Sequence, residues 1–313
     1  MSAARGYRFM FYLTGVVALL ASGLAWKIAN QSTAQSLTAF ALERDKQYPF
    51  VVDAYGFKYQ GRTGNSIDEF VLRYGAWEKD RLFFVRDYLK TLNDSNAVVI
   101  DVGANTGHHS LFYSQHAARV LAFEPFPPVI AMFKQNLALN PHIKNVELFE
   151  VGLGDTDAEL PFSAPADENH GQGSFRAEAP QNRGMKPYDT KLRIVAGDEY
   201  LKDKNVGPVA FIKIDVEGFE EPVLKGLHQL IEKHRPLLQV EVSPPPTGTV
   251  DSFARFRSLI PENYEFFVLM LSQDGFVKGT YQLQKLDPSA LGKDNQVEVI
   301  ACPKERLSAL PGR

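Results

Sequence analysis

The chain is poor in cysteine and carries no excess of charge of either sign. Its 313 residues include one cysteine, Cys302, which excludes an intramolecular disulfide and a cysteine-rich zinc site. Lysine and arginine number 34 against 37 aspartates and glutamates, so there is no broad basic field to hold a nucleic-acid backbone. With 23 glycines, 19 prolines and 44% hydrophobic residues, the composition also excludes a collagen-like or wholly disordered chain. We expect a globular fold and no nucleic-acid partner.

Charge is also missing from one long stretch, Phe9 to Trp26. As a helix this stretch would be ~27 Å long, close to the ~30 Å hydrocarbon core of a bilayer. It predicts a single-pass transmembrane anchor within residues 1–26. A cleaved signal peptide is the alternative, although its apolar core would be shorter, roughly 7 to 15 residues. Arg5 and Arg8 before the stretch and Lys27 after it favour a cytoplasmic amino terminus by a thin margin, which leaves open the side of the membrane that holds the rest of the chain.

Three regions follow the predicted anchor. Residues 27–49 are polar and predict a stalk. Residues 50–95 form an N-terminal element, in which glycine-rich turns between aromatic runs predict a hairpin at 50–76 and helical apolar spacing predicts a helix at 77–92. Residues 96–305 alternate strand and helix patterns, which we interpret as one domain.

The strands of this domain are predicted from continuous apolar runs, which are typical of a parallel sheet covered on both faces. The five runs are AVVIDV (97–102), ARVLAF (118–123), VELFEV (146–151), AFIKID (210–215) and LLQVEV (237–242). Two later runs, YEFFVLML (264–271) and QVEVIAC (296–302), are joined by turn-rich sequence and predict a terminal antiparallel pair. The pattern therefore predicts an α/β fold with a Rossmann-like, doubly wound, mostly parallel sheet of seven strands.

The segment VIDVGANTG (99–107) is a strand that enters a glycine loop and opens a helix. Such a loop lets a ligand approach the backbone and the free N–H groups of the helix start. Glu124 ends the next strand, where a carboxylate accepts hydrogen bonds from ribose hydroxyls. Asn105 stands where the dinucleotide fingerprint has its second glycine, which argues against NAD and favours S-adenosylmethionine. A purely structural strand-to-helix turn is the alternative for the loop alone.

Four ordered blocks resemble the FkbM family of S-adenosylmethionine-dependent methyltransferases. They are VIDVGANTG (99–107), FEP (123–125), VGLGD (151–155) and IKIDVEGFEEPVLKG (212–226), and the resemblance covers roughly Val98 to Pro244, about half of the chain. The resemblance implies a sheet of the class I methyltransferase type and transfer of a methyl group to a hydroxyl of a sugar, glycolipid or other secondary metabolite. N-methylation, carboxyl methylation and a non-catalytic, membrane-tethered binding module on the same fold are the alternatives.

The resemblance also implies roles for six residues in cofactor binding. Asp101, Gly103, Asn105 and Gly107 would line the methionine part of the cofactor. Glu124 would hold the ribose, and Asp155 would lie near the adenine.

The catalytic candidates are four ionisable residues on neighbouring strands. In AFIKIDVEG the strand period places Lys213, Asp215 and Glu217 on one face, and Glu241 lies near the end of the next strand. Because unpaired charges are costly on a buried strand, we predict a catalytic cluster, with Asp215 or Glu217 as the base and Glu241 as the third choice. A structural Lys213–Asp215 ion pair is the alternative. The carboxylates could also hold a divalent cation, although no metal is predicted.

A long polar stretch, residues 163–190, separates the third and fourth strands. Long loops in compact domains tend to be functional or disordered, and the run from Asn169 to Ser174 resembles a segment of the family, so we expect a lid on the acceptor side. His170 is a further candidate base, and Arg176 and Arg183 could contact an acidic acceptor.

Overall fold

The computed structural model describes residues 47–165, 173–175, 185–270, 275–292 and 296–312. The strands of these parts of the chain are β1 (Pro49–Ala54), β2 (Phe57–Arg62), β3 (Val98–Val102), β4 (Arg119–Phe123), β5 (Val146–Phe149), β6 (Gly152–Gly154), β7 (Ala158–Leu160), β8 (Ser163–Pro165), β9 (Met185–Pro187), β10 (Leu192–Ala196), β11 (Val209–Ile214), β12 (Leu237–Val242), β13 (Tyr264–Met270), β14 (Gln282–Lys285) and β15 (Val297–Pro303). Their helices are α1 (Ser66–Tyr74), α2 (Lys79–Leu92), α3 (His108–Tyr113), α4 (Pro127–Ala138), α5 (Gly197–Leu201), α6 (Glu220–Gly226), α7 (His228–His234), α8 (Phe253–Ser258) and α9 (Gly275–Lys278).

The main sheet is a mixed sheet in the order β14-β13-β15-β12-β11-β3-β4-β5. The five strands from β12 to β5 are parallel, as their continuous apolar runs predict. β15 pairs antiparallel with both β12 and β13, which confirms the predicted antiparallel pair at the end of the fold. Cys302 is buried in β15.

The prediction of seven strands is wrong by one, because β14 pairs antiparallel with β13 at the edge of the sheet. Its sequence, QLQK, has one apolar residue and three polar ones. A short, polar edge strand avoids unwanted pairing with other chains, and for the same reason it leaves no hydrophobic run to detect. Only its pairing with β13 identifies this segment as a strand.

The N-terminal element packs directly on this sheet. β1 and β2 form an antiparallel hairpin in the first half of the range predicted for one, 50–76. The second half is instead the helix α1, capped by the side chain of Asn65 and ended by Gly75 in the left-handed conformation. Buried side chains of the hairpin and of α2 share one hydrophobic cluster with residues of β3, β4 and β11. The element is therefore positioned by the core of the main sheet. The boundary at residue 95 stays a prediction.

The predicted anchor and stalk, except for residues 47–49, lie outside the described residues. Among the residues that the structure describes, no helix is both long enough and apolar enough to cross a bilayer.

Candidate functional site

An open cleft of about 800 Å³ lies at the carboxyl ends of β3, β4 and β11. Open α/β sheets bind ligands at this edge. Its lining includes the glycine loop, Glu124, and the acidic segment that follows β11. The topology thus brings together motifs that are more than a hundred residues apart in the sequence.

The glycine loop packs against the end of β11. Gly103 has a φ of 78°, and a Cβ atom there would lie 1.9 Å from the carbonyl oxygen of Asp215. No other residue fits this contact. Gly107 also has a positive φ, 84°, and a Cβ there would meet the ring of Phe133 at 2.2 Å. Both glycines are therefore required by the close approach of neighbouring groups.

The backbone N–H groups of the loop are all engaged within the protein. Those of Gly103 and Ala104 donate to the carbonyl oxygen of Phe123, both at 3.0 Å, and that of Gly107 donates to Ala104 at 3.0 Å. The N–H of Asn105 donates to Glu124 Oε2 at 3.0 Å. The loop itself therefore has few donors for a pyrophosphate, and the expectation of free N–H groups at the helix start, from His108 onward, stays a prediction.

Asn105 stabilises this arrangement with its own side chain. Its φ is 51°, in the left-handed region that asparagine adopts more readily than most residues. Its Oδ1 accepts the N–H of Thr106 at 2.7 Å. An asparagine in place of the second glycine of the dinucleotide fingerprint thus closes the turn internally.

Glu124 lines the cleft at the end of β4. Its Oε2 accepts the Asn105 N–H, and its Oε1 accepts the Phe126 N–H at 2.9 Å. Burial raises the pKa of this carboxyl to about 7, although the two N–H groups act in the opposite direction. Each oxygen retains a second lone pair, so the ionised side chain can accept further hydrogen bonds from a diol.

Asp101 and Gly107 do not line the cleft, whereas Gly103 and Asn105 do. Asp101 is fully buried on β3, with Oδ2 accepting the Ser110 hydroxyl at 2.6 Å. It lies in register with Lys213 of the neighbouring strand. The structure therefore places Asp101 where it supports the loop from the sheet side.

Lys213 and Asp215 form an ion pair at the base of the cleft, with Nζ 2.8 Å from Oδ2. Lys213 is buried and Asp215 is partly exposed. Burial alone would lower the pKa of Lys213, but Asp215, Asp101 and Glu78 raise it above the usual lysine value. Burial alone would raise the pKa of Asp215, and Lys213 more than reverses this, so the carboxylate stays ionised. The ion pair is thus present, and Lys213 cannot act as a base.

The prediction that Lys213, Asp215 and Glu217 share one face through strand alternation is only partly correct. β11 ends at Ile214, and Glu217 lies in the following loop with a φ of 50°. All three residues nevertheless line the cleft. The Ser174 hydroxyl holds the loop by donating to the carbonyl oxygen of Glu217 at 2.8 Å.

Glu241 lies behind Asp215 and not in the wall of the cleft. Gln296 Nε2 donates to its Oε2 at 3.3 Å and to Glu217 Oε2 at 3.4 Å. Burial, followed by the repulsion of Asp215, raises the pKa of Glu241 well above the usual glutamate value. Because Glu241 lies behind Asp215 and outside the lining of the cleft, it is poorly placed to be the base.

Asp155 is not among the residues that line the cleft, and its position beside the adenine stays a prediction. It follows β6, which pairs with β10 in a separate three-stranded sheet. The residue is exposed and lines a different surface depression, together with Asp198 and Lys225.

Sequence reasoning missed the aromatic and N-terminal part of the cleft. Ile67 and Trp77 contribute to its lining, as do Phe126, Phe162 and Phe175. His108 and His109 open α3, and they also line the cleft. Apolar residues carry no chemical signature in a sequence, so only the tertiary structure shows which of them face the ligand.

Two further predictions concern the lid and a metal. Of the predicted lid, Asn169 to Ser174, the structure describes Gly173 and Ser174; His170, Arg176 and Arg183 lie outside the described residues. Across the described ranges, no group of three or more histidine, cysteine, aspartate or glutamate side chains is arranged to hold a metal ion.

Comparison with known proteins identifies the family. The model of the methyltransferase FkbM domain matches residues 101–268, more than half of the chain. The chain belongs to the FkbM methyltransferase family. The matched region of this family member holds the glycine loop, Glu124, the ion pair and Glu241.

One relative is the methyltransferase sdnD of Sordaria araneosa. It is 29% identical over 164 residues, which cover 43% of this chain and 62% of sdnD. The hexuronic acid methyltransferase AglP of Haloferax volcanii is 27% identical over 139 residues, covering 44% of this chain and 53% of AglP. The chain thus spans less than two thirds of the length of either relative. A solved structure of a methyltransferase FkbM from Methylobacillus flagellatus KT has a TM-score of 0.44 and 15% identity, covering 74% of this chain and 53% of that one.

Proposed function

We propose that this protein is an S-adenosylmethionine-dependent methyltransferase that methylates a hydroxyl of a sugar, glycolipid or other secondary metabolite. The observation that carries the proposal is the contact between Gly103 and the Asp215 carbonyl oxygen. This contact brings the glycine loop, which we propose binds the nucleoside, beside the ionised carboxylate of Asp215 in the wall of one cleft. The chain also belongs to the FkbM family.

The residues present fit this cofactor better than a dinucleotide. Since the loop N–H groups of Gly103, Ala104, Asn105 and Gly107 are engaged internally, the loop favours a nucleoside without phosphates. Glu124 retains acceptor capacity for the two ribose hydroxyls. When bound, S-adenosylmethionine supplies a methyl group attached to a sulfonium sulfur. Loss of that methyl group leaves a neutral thioether.

Asp215 is the proposed base. Lys213 holds Oδ2 and Glu241 also hydrogen-bonds this carboxylate, whose remaining lone pairs accept the proton of the acceptor hydroxyl. Because the ion pair lowers the pKa of Asp215, the carboxylate is a weak base and takes the proton as the new C–O bond forms. Glu217, held in its loop by Ser174, is positioned to orient the acceptor. Positioning of the acceptor hydroxyl against the methyl group therefore supplies most of the rate acceleration.

The test is Asp215→Asn. We expect S-adenosylmethionine affinity, measured by calorimetry, to stay within about twofold, while turnover falls by roughly a hundredfold or more. Turnover is measured as methyl label transferred to an extract of cells that lack the protein, and NMR of the product shows whether the new bond is O–CH₃, N–CH₃ or a methyl ester. Asp53→Asn, at an exposed position of the hairpin, is the control.

Two outcomes contradict different parts of the proposal. Undiminished turnover of Asp215→Asn would reject this residue as the base. A wild-type protein that binds no S-adenosylmethionine would instead favour a non-catalytic module.

We also propose that the chain is anchored in a membrane by the uncharged stretch from Phe9 to Trp26. Its support is the length and apolar character of the sequence alone. The full chain should stay with membranes after alkaline carbonate extraction, whereas a variant with two arginines in the stretch should be released. Protease protection in sealed vesicles then tells which side holds the domain.

A further inference from the structure

One wall of the cleft lies outside the matched family domain. Ile67, in α1, and Trp77, in the turn between α1 and α2, line the cleft. The family match begins at residue 101. The N-terminal element therefore adds a surface to the site that the shared domain does not supply.

The indole of Trp77 is held in a fixed position. The ring of Phe70 packs edge-on against it, with centroids 5.0 Å apart and planes at 88°. A side-chain N–H of His109 donates to the backbone carbonyl of Trp77. On the carboxyl side, Glu78 takes a left-handed φ of 51° and pairs with Arg81 at 3.3 Å. A large aromatic side chain that is fixed and only half-buried is suited to bind a ligand at little cost in side-chain entropy.

The polar groups of the cleft are mainly acceptors. Asp215 and Glu217 lie on the wall formed by the segment after β11. Within the described part of the cleft lining, Lys213 is the one lysine or arginine, and Asp215 already holds it. Burial lowers the pKa of His108 to about 3 and that of His109 well below its usual value, so neither imidazole is charged.

These features define the shape and charge of the acceptor. A saturated ring with several hydroxyls has an apolar C–H face, which can pack on an indole, and an edge of hydroxyl donors for carboxylates. Within the described lining, an acceptor with its own carboxylate would face Asp215 and Glu217, and the one cation there, Lys213, is already paired, so the like charges would repel.

We propose that Trp77 is a specificity-determining residue that stacks on an uncharged pyranose ring of the acceptor. This rests on the proposed methyltransferase function and names the substrate class of the same site. Such an acceptor differs from the hexuronic acid for which the relative AglP is named.

The experiment measures ligand binding in the presence of saturating S-adenosylhomocysteine. Saturation-transfer NMR on the full chain compares methyl glucopyranoside, methyl mannopyranoside and methyl galactopyranoside with methyl glucuronopyranoside and with sorbitol. At least one neutral pyranoside should bind, and the glucuronoside and the open-chain polyol should not. Trp77→Ala should weaken pyranoside binding by about tenfold, with Trp77→Phe in between.

Controls separate this inference from the function on which it rests. S-adenosylhomocysteine affinity, by calorimetry, should stay within about twofold in both Trp77 variants and in Tyr55→Ala, an exposed aromatic residue away from the cleft. Equal binding of sorbitol or of the glucuronoside, or no pyranoside binding by a wild-type protein that holds S-adenosylhomocysteine, overturns the inference alone. A large loss of S-adenosylhomocysteine affinity in Trp77→Ala would assign the indole to the cofactor and overturn it as well. Failure of the wild type to bind S-adenosylhomocysteine overturns the proposed function itself.

Discussion

Replacing Lys213 with methionine should destabilise the protein far more than removing an exposed lysine that makes an equally short ion pair. Lys213 is 3% exposed, and its Nζ lies 2.8 Å from Asp215. At an effective dielectric constant of about 20, two unit charges at this separation attract by roughly 6 kcal/mol. Desolvation offsets part of this attraction, and removing one partner of a buried pair costs about 3–5 kcal/mol because the other charge is left uncompensated. Asp101, fully buried and in register with Lys213, adds a second such charge.

Lys134→Met is the matched control. Lys134 lies 2.6 Å from Glu150, and both side chains are 53% exposed, so its removal should cost no more than about 1 kcal/mol. Urea denaturation of both variants near neutral pH gives the two free energies of unfolding. The deficit of Lys213→Met should shrink in acid, where Asp101 and Asp215 become protonated and no longer need a counter-charge. Equal costs for the two variants, or a deficit that does not change with pH, would refute the account of Lys213 as the buried counter-ion.

Two more substitutions test the loop and its acidic partner. Gly103→Ala should lower the free energy of unfolding by at least ~2 kcal/mol and weaken S-adenosylmethionine binding, because its Cβ would meet the Asp215 carbonyl oxygen at 1.9 Å. Gly64 has a similar φ, 90°, but a Cβ atom there would have its nearest neighbour at 3.4 Å, so Gly64→Ala should cost only the backbone strain of ~1 kcal/mol. Equal losses of unfolding free energy in the two variants would contradict the packing argument. For Glu124, whose folded pKa is raised from 4.5 to about 7, the stability gained from protonation is complete below pH 4.5 and is lost as pH rises through about 7. Over the same interval the growing carboxylate should strengthen S-adenosylmethionine binding, and Glu124→Gln should flatten both profiles in urea denaturation and calorimetry; unchanged profiles would count against the pKa assignment.

The central strands and the glycine loop could be predicted because each has a local cause. Fully buried parallel strands require continuous apolar runs, and β3 and β11 have them. The tight approach at Gly103 requires a residue without a side chain, and the sequence provides one.

Other parts of the site depend on contacts that a sequence does not display. Continued past Ile214, the strand period predicts Glu217 on the same face as Lys213, but β11 ends at Ile214 and the left-handed Glu217 redirects the chain. The pairing of the three-residue strand β6 with β10, just before Asp155, is likewise a tertiary contact that the motif does not predict. Trp77 reaches the cleft because the hairpin and α2 pack on the sheet, which is a tertiary effect.

The position of β15 has a consequence for how the domain is completed during synthesis. This strand, Val297–Pro303, is inserted between β12 and β13, and so it lies inside the main sheet although it comes late in the sequence. Until it leaves the ribosome, β12 has an unpaired edge and the β13–β14 pair has nothing to join. Contacts between residues so far apart in sequence form slowly, and an exposed apolar edge in a partly made sheet promotes aggregation. Removing residues from 297 onward should therefore yield an insoluble product with an interrupted sheet, and not merely a shortened protein.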